Sequence, residues 1–187
     1  MDLTAVLLKT LLHGNQLKRT PRTGWLQRGV PQAENVAAHS FGVVFATLIL
    51  AQVVEEPIDL GRALAMAALH DLAEGLTTDI PSPAWEYLPS GVKIEVERGA
   101  MTRILDSAPF AAPLHEWWEA LHTADSPEAR LVDDADKLDL FIQALMYEEQ
   151  TGNRQLAEFW HIPHPFYYPQ AQSLYEALRR RRETAKS

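Results

Sequence analysis

The sequence contains no cysteine, which excludes disulfide bonds and thiolate metal sites. It also has no long hydrophobic run. The longest one, residues 43–51, is interrupted by Thr47 and is far shorter than the roughly 20 residues that a helix needs to cross a bilayer. No basic leader precedes the apolar residues at the N-terminus. We therefore expect a soluble protein with no membrane partner, and the lack of cysteine is compatible with a cytoplasmic location.

Positive charge is scarce. The 17 Lys and Arg residues are outnumbered by 25 Asp and Glu residues, which gives a formal net charge of -8. Proteins that bind extended nucleic acid draw affinity from basic side chains that displace counterions, so we expect no nucleic-acid polymer as a partner. A small anion can still bind in a pocket where a cation reverses the local potential.

The chain has 187 residues, of which 47% are hydrophobic, and this is enough for one sizeable core. No repeat or low-complexity segment is visible, so we predict a single domain, 1–187. Apolar residues recur at helical spacing and no segment alternates as a strand does. The predicted helices, with Asn35 and Asp59 as caps and Gly14 and Gly75 as stops, are 3–14, 36–54, 59–73, 92–106, 114–121, 127–150, 154–160 and 168–182. Residues 18–25 and 76–83 are predicted as loops.

The most informative motif is His70-Asp71, which follows the apolar run 63–69. An imidazole and a carboxylate on a buried support are nitrogen and oxygen ligands for a metal, in a place where unpaired polar groups are costly. His39 upstream and Asp136 downstream also lie in apolar helical segments. A single histidine is more often structural, but the four residues in this order favour a shared divalent cation.

The pattern His39…His70-Asp71…Asp136 resembles that of the HD-domain superfamily of metal-dependent phosphohydrolases, and most of all its small 5′-deoxyribonucleotidase-like branch. The resemblance covers about residues 10–150 and implies an all-α HD-domain helical bundle, with the helices of 151–187 packed on that core. It also implies one divalent ion (Co, Mn, Zn, Fe, Ni or Mg) and a homodimer. The choice of Asp136 over its neighbours rests on this resemblance; the neighbours are Asp133, Asp134 and Asp139.

Two acidic residues are the predicted catalytic groups. Asp71 acts by holding the ion, and Glu74 matches the Glu of the His-Asp-x-x-Glu pattern that, in the family, orients or deprotonates the attacking water. Glu74 comes four residues after His70, so we expect the two to share a helix face. The alternative for Glu74 is a solvated helix end or a partner of His70.

A Trp occurs in this family at the interval that separates Trp25 from His39, where it lies beside the substrate. The alternative for Trp25 is core packing. In that branch an Arg that grips phosphate directly precedes the Trp, whereas this chain has Gly24 there. Arg22 is the nearest substitute, and the other basic residues nearby are Lys18, Arg19 and Arg28.

Three further residues are predicted to bind substrate. By the same resemblance Asp79 contacts the sugar hydroxyl, although it can instead be a simple turn residue. Thr78 replaces the Gly that precedes this Asp in the family, which can change the shape of the loop. Lys137 can neutralise a phosphoryl oxygen, but its position beside Asp136 on the helix favours a surface ion pair with Asp133 or Asp134.

Three other features are interpreted as structural. Trp117 and Trp118 are adjacent and are expected to fill a core or a subunit contact. Residues 161–165 contain two histidines with no nearby carboxylates and are expected to be a connector. The basic run 179–182 at the end of the last helix complements the helix dipole and is expected to be a solvated tail.

The function predicted from these residues is hydrolysis of the 5′-phosphate of (deoxy)nucleoside monophosphates. One alternative is a deoxynucleoside triphosphate triphosphohydrolase, because HD domains of similar size catalyse that reaction. Another is a non-catalytic module that binds a nucleotide and turns over nothing. Glu74 argues against the binding module, and Gly24 argues weakly for it.

Overall fold

The computed structural model describes residues 2–81, 84, 87–161 and 164–184. In that part of the chain there is no strand, and the only β-type pairing is an isolated bridge between Pro21 and Asn35. The all-α HD-type bundle is therefore confirmed. The helices are α1 Leu3–Gln16, α2 Thr23–Gln27, α3 Val36–Leu50, α4 Leu60–Leu69, α5 Glu74–Thr77, α6 Val92–Ile104, α7 Ala111–Thr123, α8 Pro127–Thr151 and α9 Pro169–Thr184. None of these helices is long and apolar enough to cross a membrane.

The helix starts follow the capping rules. Asn35 accepts a hydrogen bond from the amide of Ala38, and Asp59 accepts one from the amide of Arg62. Both predicted caps are thus confirmed. Ser126 caps α8 in the same way, because a short polar side chain can satisfy a free amide of the first turn.

Three predicted helix ends were wrong. The helix predicted over 36–54 ends at Leu50. The first helix continues past Gly14 to Gln16. The helix that was expected to reach residue 73 ends at Leu69, and a tight turn leads from there into α5. Gly75 lies inside α5 and does not terminate a helix; a Cβ at Gly75 would lie 3.1 Å from the carbonyl oxygen of His13. The glycine therefore allows α5 to approach α1.

Parts of two other segments also differ from the sequence prediction. Residues 18–25 were expected to be a loop, but they contain a 3₁₀ turn at Leu17–Arg19 and the short helix α2. Residues 154–161 form a 3₁₀ helix. The predicted loop 76–83 is irregular at 78–81, its first residues belong to α5, and residues 82 and 83 lie outside the described part.

Helices α3 and α8 pack along one another in the centre of the molecule, and α4 and α9 pack against α8. The buried residues between them include Val43, Met66 and Leu138. A second cluster lies between α6 and α7 and contains Trp118, which is fully buried, as expected for a core tryptophan. The long central pair α3 and α8 provides the rigid support on which the candidate site lies.

The basic run at the C-terminal end of α9 was predicted to be a solvated tail; Arg179, Arg180 and Arg181 are exposed, but Arg182 is not. Arg182 forms two hydrogen bonds with the carboxylate of Glu148 on α8, and its guanidinium lies 5.0 Å from the ring of Trp160. Arg181 pairs in the same manner with Glu149. These contacts fasten α9 to α8.

Candidate metal centre

Two imidazole rings face each other at the centre of the site. His39 lies in the first turn of α3 and is 1% exposed, and His70 follows the last residue of α4. Their Nε2 atoms are 3.3 Å apart. The Nδ1 atom of His70 donates to the carbonyl oxygen of Ala67 at 2.8 Å, so the Nε2 lone pair of neutral His70 points into the site.

Two carboxylates approach this pair of rings. Asp136 on α8 places Oδ1 3.1 Å from Nε2 of His39, and Asp71 places Oδ2 3.3 Å from Nε2 of His70 and 3.6 Å from Nε2 of His39. Ligand atoms of His39, His70 and Asp136 all lie within 4.8 Å of one another. Side chains from α3, α8 and the turn after α4 thus meet at one point, as the sequence predicted for them.

The charges in this cluster depend strongly on one another. Burial opposes the charged form of His39, but hydrogen bonds to Asp136 and Asp139 outweigh it and raise the pKa of His39 to about 10. Burial also favours the neutral form of the two site carboxylates. Nearby cations outweigh that effect: His70 and His39 hold the pKa of Asp71 well below its usual range, and Lys137 does so for Asp136. The site attracts positive charge.

Sequence reasoning missed Asp139. This residue was considered only as a substitute for Asp136, yet its Oδ2 lies 2.8 Å from Nδ1 of His39, on the far side of the ring from the site. The spacing of three residues on one helix places Asp136 and Asp139 on the same face, and this was the available signal. The structure uses both aspartates, one at each ring nitrogen of His39.

Glu74 is buried at the start of α5, and its Oε2 has no hydrogen-bond partner. Burial, and then the negative charges of Asp71 and Asp79, raise the pKa of Glu74 to about 9. The backbone between Asp71 and Glu74 makes the three-residue hydrogen bonds of a 3₁₀ turn, with the amide of Glu74 donating to the carbonyl oxygen of Asp71. In such a turn residues i and i+3 eclipse each other. Asp71 and Glu74 therefore face the same side.

Of the four basic residues around the missing arginine position, Arg22 reaches the site. Its Nη1 lies 3.5 Å from Oδ2 of Asp71 and 3.9 Å from Oδ1 of Asp79. Arg19 is exposed and bonds to Gln16, whereas Arg28 extends towards Glu158 and Phe159. The side-chain amide of Asn35 donates a hydrogen bond to the backbone carbonyl oxygen of Lys18.

Trp25 is 1% exposed. Its ring packs at a 75° angle to that of Tyr147 and lies 4.6 Å from that of Phe159, and its indole N–H donates to Glu34. A ring so enclosed offers no free face to a nucleobase. The geometry thus supports the packing alternative for Trp25.

Asp79 does more than form a local turn. Its Oδ2 accepts a hydrogen bond of 2.6 Å from the amide of Thr23, and its carbonyl oxygen accepts one from the Thr23 hydroxyl. These bonds tie the loop after α5 to the start of α2, next to Arg22. Thr78, which precedes Asp79, has φ 64° and ψ 166°, a conformation that is almost confined to glycine. The loop thus has a glycine-type shape despite the threonine.

Lys137 does not pair with Asp133 or Asp134, so that prediction was wrong. Its Nζ lies 2.5 Å from Oδ2 of Asp136. The backbone direction of Lys137 points away from the site, but the side chain is long enough to bend back to the neighbouring carboxylate. Asp136, at the edge of the ligand cluster, therefore has an imidazole on one oxygen and an ammonium group on the other.

The segment with two histidines does have nearby carboxylates, contrary to expectation. The Nε2 atom of His164 lies 3.9 Å from Asp133, and the two can group with Asp134 within 4.8 Å. Asp134 is already engaged, because its two oxygens accept hydrogen bonds from the amides of Tyr167 and Tyr168. This carboxylate holds the segment that leads into α9.

Comparison with known proteins identifies the family. The sequence pattern of the HD domain matches residues 14–173, which include every residue of the ligand cluster. The chain belongs to the HD-domain family. The match also extends beyond the central helices into the first turn of α9.

Relatives of this HD-domain protein are known from sequence and from structure. The chain is 34% identical over 172 residues to the 5′-deoxynucleotidase HDDC2 of Danio rerio, an alignment that covers 89% of this chain and 83% of the relative. It is similar to a conserved hypothetical protein from Pyrococcus furiosus, with a TM-score of 0.79 and 37% identity over 92% of this chain and 99% of the other. It also resembles the PH0347 protein from Pyrococcus horikoshii OT3, with a TM-score of 0.72 and 42% identity over 82% of this chain and 84% of the other.

Proposed function

We propose that this HD-domain protein is a metal-dependent phosphohydrolase that removes the 5′-phosphate from deoxynucleoside monophosphates. The observation that carries the proposal is the pair of Nε2 atoms of His39 and His70, 3.3 Å apart and flanked by carboxylates. The similarity to 5′-deoxynucleotidases over most of both chains supports the same activity and the choice of a monophosphate substrate.

The residues fit a divalent cation. The Nδ1 atoms of both histidines lie next to groups that only accept hydrogen bonds, the carbonyl oxygen of Ala67 and the carboxylate of Asp139. Each neutral ring therefore carries its proton on Nδ1 and directs a lone pair from Nε2 into the site. The raised pKa of His39 keeps a proton on its Nε2 in the metal-free site, and a divalent cation would take the place of that proton. With Asp71 and Asp136, the rings form a set of nitrogen and oxygen donors for one ion.

We propose that the ion is a single transition-metal ion, since imidazole ligands suit Co, Mn, Zn, Fe or Ni better than Mg. When bound, a divalent cation polarises a phosphoryl oxygen and lowers the pKa of water. The chain's part is to hold the donors rigidly: α3 and α8 present His39 and Asp136 from the core, and the turn after α4 presents His70 and Asp71.

Glu74 is the proposed general base. Its Oε2 is buried without a partner and is free to accept the proton of an attacking water. Burial and the neighbouring carboxylates raise the pKa of this side chain in the metal-free site. A bound divalent cation would lower that pKa by stabilising the carboxylate, which is the form that accepts a proton. The 3₁₀ turn places Glu74 on the same side as Asp71, beside the cation ligands.

Arg22 is the proposed phosphate ligand. Its guanidinium already lies between the carboxylates of Asp71 and Asp79, so it is held in place before substrate binds. Lys137 contributes a second positive charge at the edge of the cluster. Asp79 and Thr78 form the proposed sugar contact, because one oxygen of Asp79 faces Arg22 and not the Thr23 amide. Trp25 supports this wall from the core.

The test is a phosphate-release screen over nucleoside mono- and triphosphates with several metals. We expect orthophosphate from deoxynucleoside monophosphates with Co²⁺ or Mn²⁺ and no turnover after chelation. Asp71→Ala should lose activity and metal affinity together. Glu74→Gln should bind Co²⁺ normally and lose about 100- to 10,000-fold in kcat. The matched control is Asp106→Asn, a carboxylate on the surface that pairs with Lys9.

Release of tripolyphosphate from deoxynucleoside triphosphates would instead identify a triphosphohydrolase. Nucleotide binding without turnover, with any metal, would identify a binding module. Normal turnover by Glu74→Gln would show that Glu74 is not the base. The assignment of the metal ligands would then depend on the result for Asp71→Ala.

We also propose that the protein is a cytoplasmic homodimer in which α3 meets α3 of a second copy. The exposed positions of this helix form an apolar stripe, which we define as Ala38, Phe41, Phe45 and Ile49. Phe41 is 71% exposed. No Asp, Glu, Lys or Arg occurs in the whole helix. A twofold-symmetric interface pairs the same patch of both copies, so a stripe without charge is the surface through which two acidic molecules can meet.

A further inference from the structure

The Nδ1 side of the His39 ring contacts Asp139, a residue that has no role in the proposed hydrolysis. Asp139 on α8 places Oδ2 2.8 Å from Nδ1 of His39, while Asp136 lies at Nε2 on the opposite edge. Asp139 is one turn beyond Asp136, so a single face of α8 presents one carboxylate to each nitrogen of the ring. The ring is 1% exposed and has no room to turn.

A carboxylate at Nδ1 has a definite effect on the other nitrogen. Ionised Asp139 can only accept a hydrogen bond, so the proton of neutral His39 is kept on Nδ1 and the lone pair on Nε2. Without this acceptor the proton can move to Nε2, where it blocks binding of a cation. Another carboxylate, Glu34, lies near this edge of the ring, but its Oε1 accepts a hydrogen bond from the indole of Trp25, and the bond at Nδ1 goes to Asp139.

The sequence of α3 contains a matching feature. Gly42 lies one turn after His39, inside a helix where glycine lowers stability relative to alanine. A Cβ atom built at this position would lie 2.0 Å from Oδ1 and 2.6 Å from Cγ of Asp139. No side chain fits there while Asp139 contacts His39. The carboxyl group of Asp139, held by its hydrogen bond to His39, fills the space that a side chain at Gly42 would need.

We propose that Asp139 is the positioning residue of His39, which fixes the ring and its protonated nitrogen for metal binding, and that Gly42 is required because it admits the Asp139 carboxylate. This inference rests on the proposed function, since it assumes that His39 binds a metal ion. The inference adds that Asp139 and Gly42, which contact neither the ion nor the substrate, determine how tightly the ion binds.

The experiment is a titration of the full-length, metal-free variants with Co²⁺, followed by visible absorption, with circular dichroism as a check of folding. Asp139→Ala is expected to weaken Co²⁺ binding about 10- to 100-fold, the usual effect of losing such a partner. Asp139→Asn should be intermediate, because its amide oxygen can still accept the proton of Nδ1. Gly42→Ala should weaken binding to a similar extent.

Gly99→Ala is the matched control. Gly99 also lies inside a helix, α6, but a Cβ atom there would meet nothing within 4 Å. We expect unchanged Co²⁺ affinity in this variant. The double variant Gly42→Ala/Asp139→Ala should bind Co²⁺ no more weakly than Asp139→Ala alone, because removal of the carboxylate also removes the clash.

Wild-type affinity in a folded Asp139→Ala variant would overturn the inference while leaving the proposed function intact. Additive losses in the double variant would show that Gly42 acts by another route and would overturn its assigned role. If the wild-type protein bound no Co²⁺, the proposed function would fail, and this inference would fail with it. Asp139→Asn introduces no new bulk and serves as the decisive variant if Gly42→Ala does not fold.

Discussion

Thr78 adopts a backbone conformation that non-glycine residues rarely occupy, with φ 64° and ψ 166°. Strain of this kind costs about 1–3 kcal/mol and is found mainly at functional sites. The neighbouring Asp79 bonds to Thr23 from this loop, so the strained peptide holds two walls of the site together. The strained residue, Thr78, therefore lies at the proposed substrate site.

We expect Thr78→Gly to raise the free energy of unfolding by about 1 kcal/mol, since the relief of strain exceeds the added flexibility of the unfolded chain. Urea denaturation of the metal-free protein would measure it. Thr77→Gly is the control, because Thr77 lies in α5 and should lose stability by about 1 kcal/mol. Equal destabilisation by both substitutions would contradict the assignment of strain to Thr78.

Arg22 allows a second prediction for a single residue. Arg22→Met should lower kcat/KM for a deoxynucleoside monophosphate about 10- to 100-fold, since a hydrogen bond to a charged group contributes about 1.5–3 kcal/mol. Steady-state kinetics would measure the loss, and Co²⁺ titration should show that metal binding remains.

Arg19→Met is the matched control for Arg22→Met. Its guanidinium is exposed and bonds only to Gln16 among the contacts described for it, so its kinetics should be unchanged. An equal loss in both variants would point to a general effect of positive charge near the site and would contradict a specific role of Arg22.

At the scale of elements, the attachment of α9 to α8 depends on an ion pair that is shielded from solvent. The side chains of Arg182 and Glu148 are 14% and 11% exposed, and the guanidinium also lies over Trp160. Exposed ion pairs contribute little because water screens them, whereas breaking a buried pair leaves a charge without its partner. This contact should therefore matter for stability.

Arg182→Met should lower the free energy of unfolding by about 2 kcal/mol, a value between those of exposed and buried pairs. Thermal and urea denaturation would measure it, and turnover per folded molecule should not change. Arg180→Met is the control, since this side chain is 69% exposed and lies 4.0 Å from Glu176. If both variants had the same stability as the wild type, the pair would not fasten α9.

The break between α4 and α5 also matters at this scale. A continuous helix was expected from Asp59 to residue 73, which would have placed Glu74 on the face of His70. The structure tightens the chain after Leu69 into a 3₁₀ turn, which instead aligns Glu74 with Asp71. The family pattern proposes Glu74 as the base, whereas its position beside Asp71 comes from this turn.

The whole molecule is acidic, and its exposed surface includes two apolar helix faces. One is the stripe on α3. The other is on α1, where Leu8 and Leu11 are 56% and 70% exposed, but that helix also carries Lys9, which pairs with Asp106. Only the stripe on α3 lies on a helix with no charged residue. We therefore expect self-association through α3.

Phe45→Asp should convert the proposed dimer to a monomer at micromolar concentration, because the interface would then bury two carboxylates without partners. Sedimentation velocity would measure the mass. Leu11→Asp on α1 is the control and should remain dimeric. A monomeric wild-type protein, or dissociation caused by Leu11→Asp alone, would contradict the proposed interface.

The sequence by itself determined the helical class, most of the helix starts and three of the residues that gather at the site, His39, His70 and Asp71. These depend on local rules: helical spacing of apolar residues, a capping side chain before each helix, and costly polar groups inside apolar segments. The family pattern then selected Asp136 among four aspartates on α8, because local spacing alone could not.

Tertiary packing decided the rest. The contact of Asp139 with His39, the position of Arg22 between two carboxylates and the enclosure of Trp25 all join residues that are far apart in the chain. Gly14 and Gly75 illustrate the reason: a glycine can end a helix or allow another helix to approach, and the sequence reads the same in both cases. Only the approach of α1 to α5 shows which role Gly75 has.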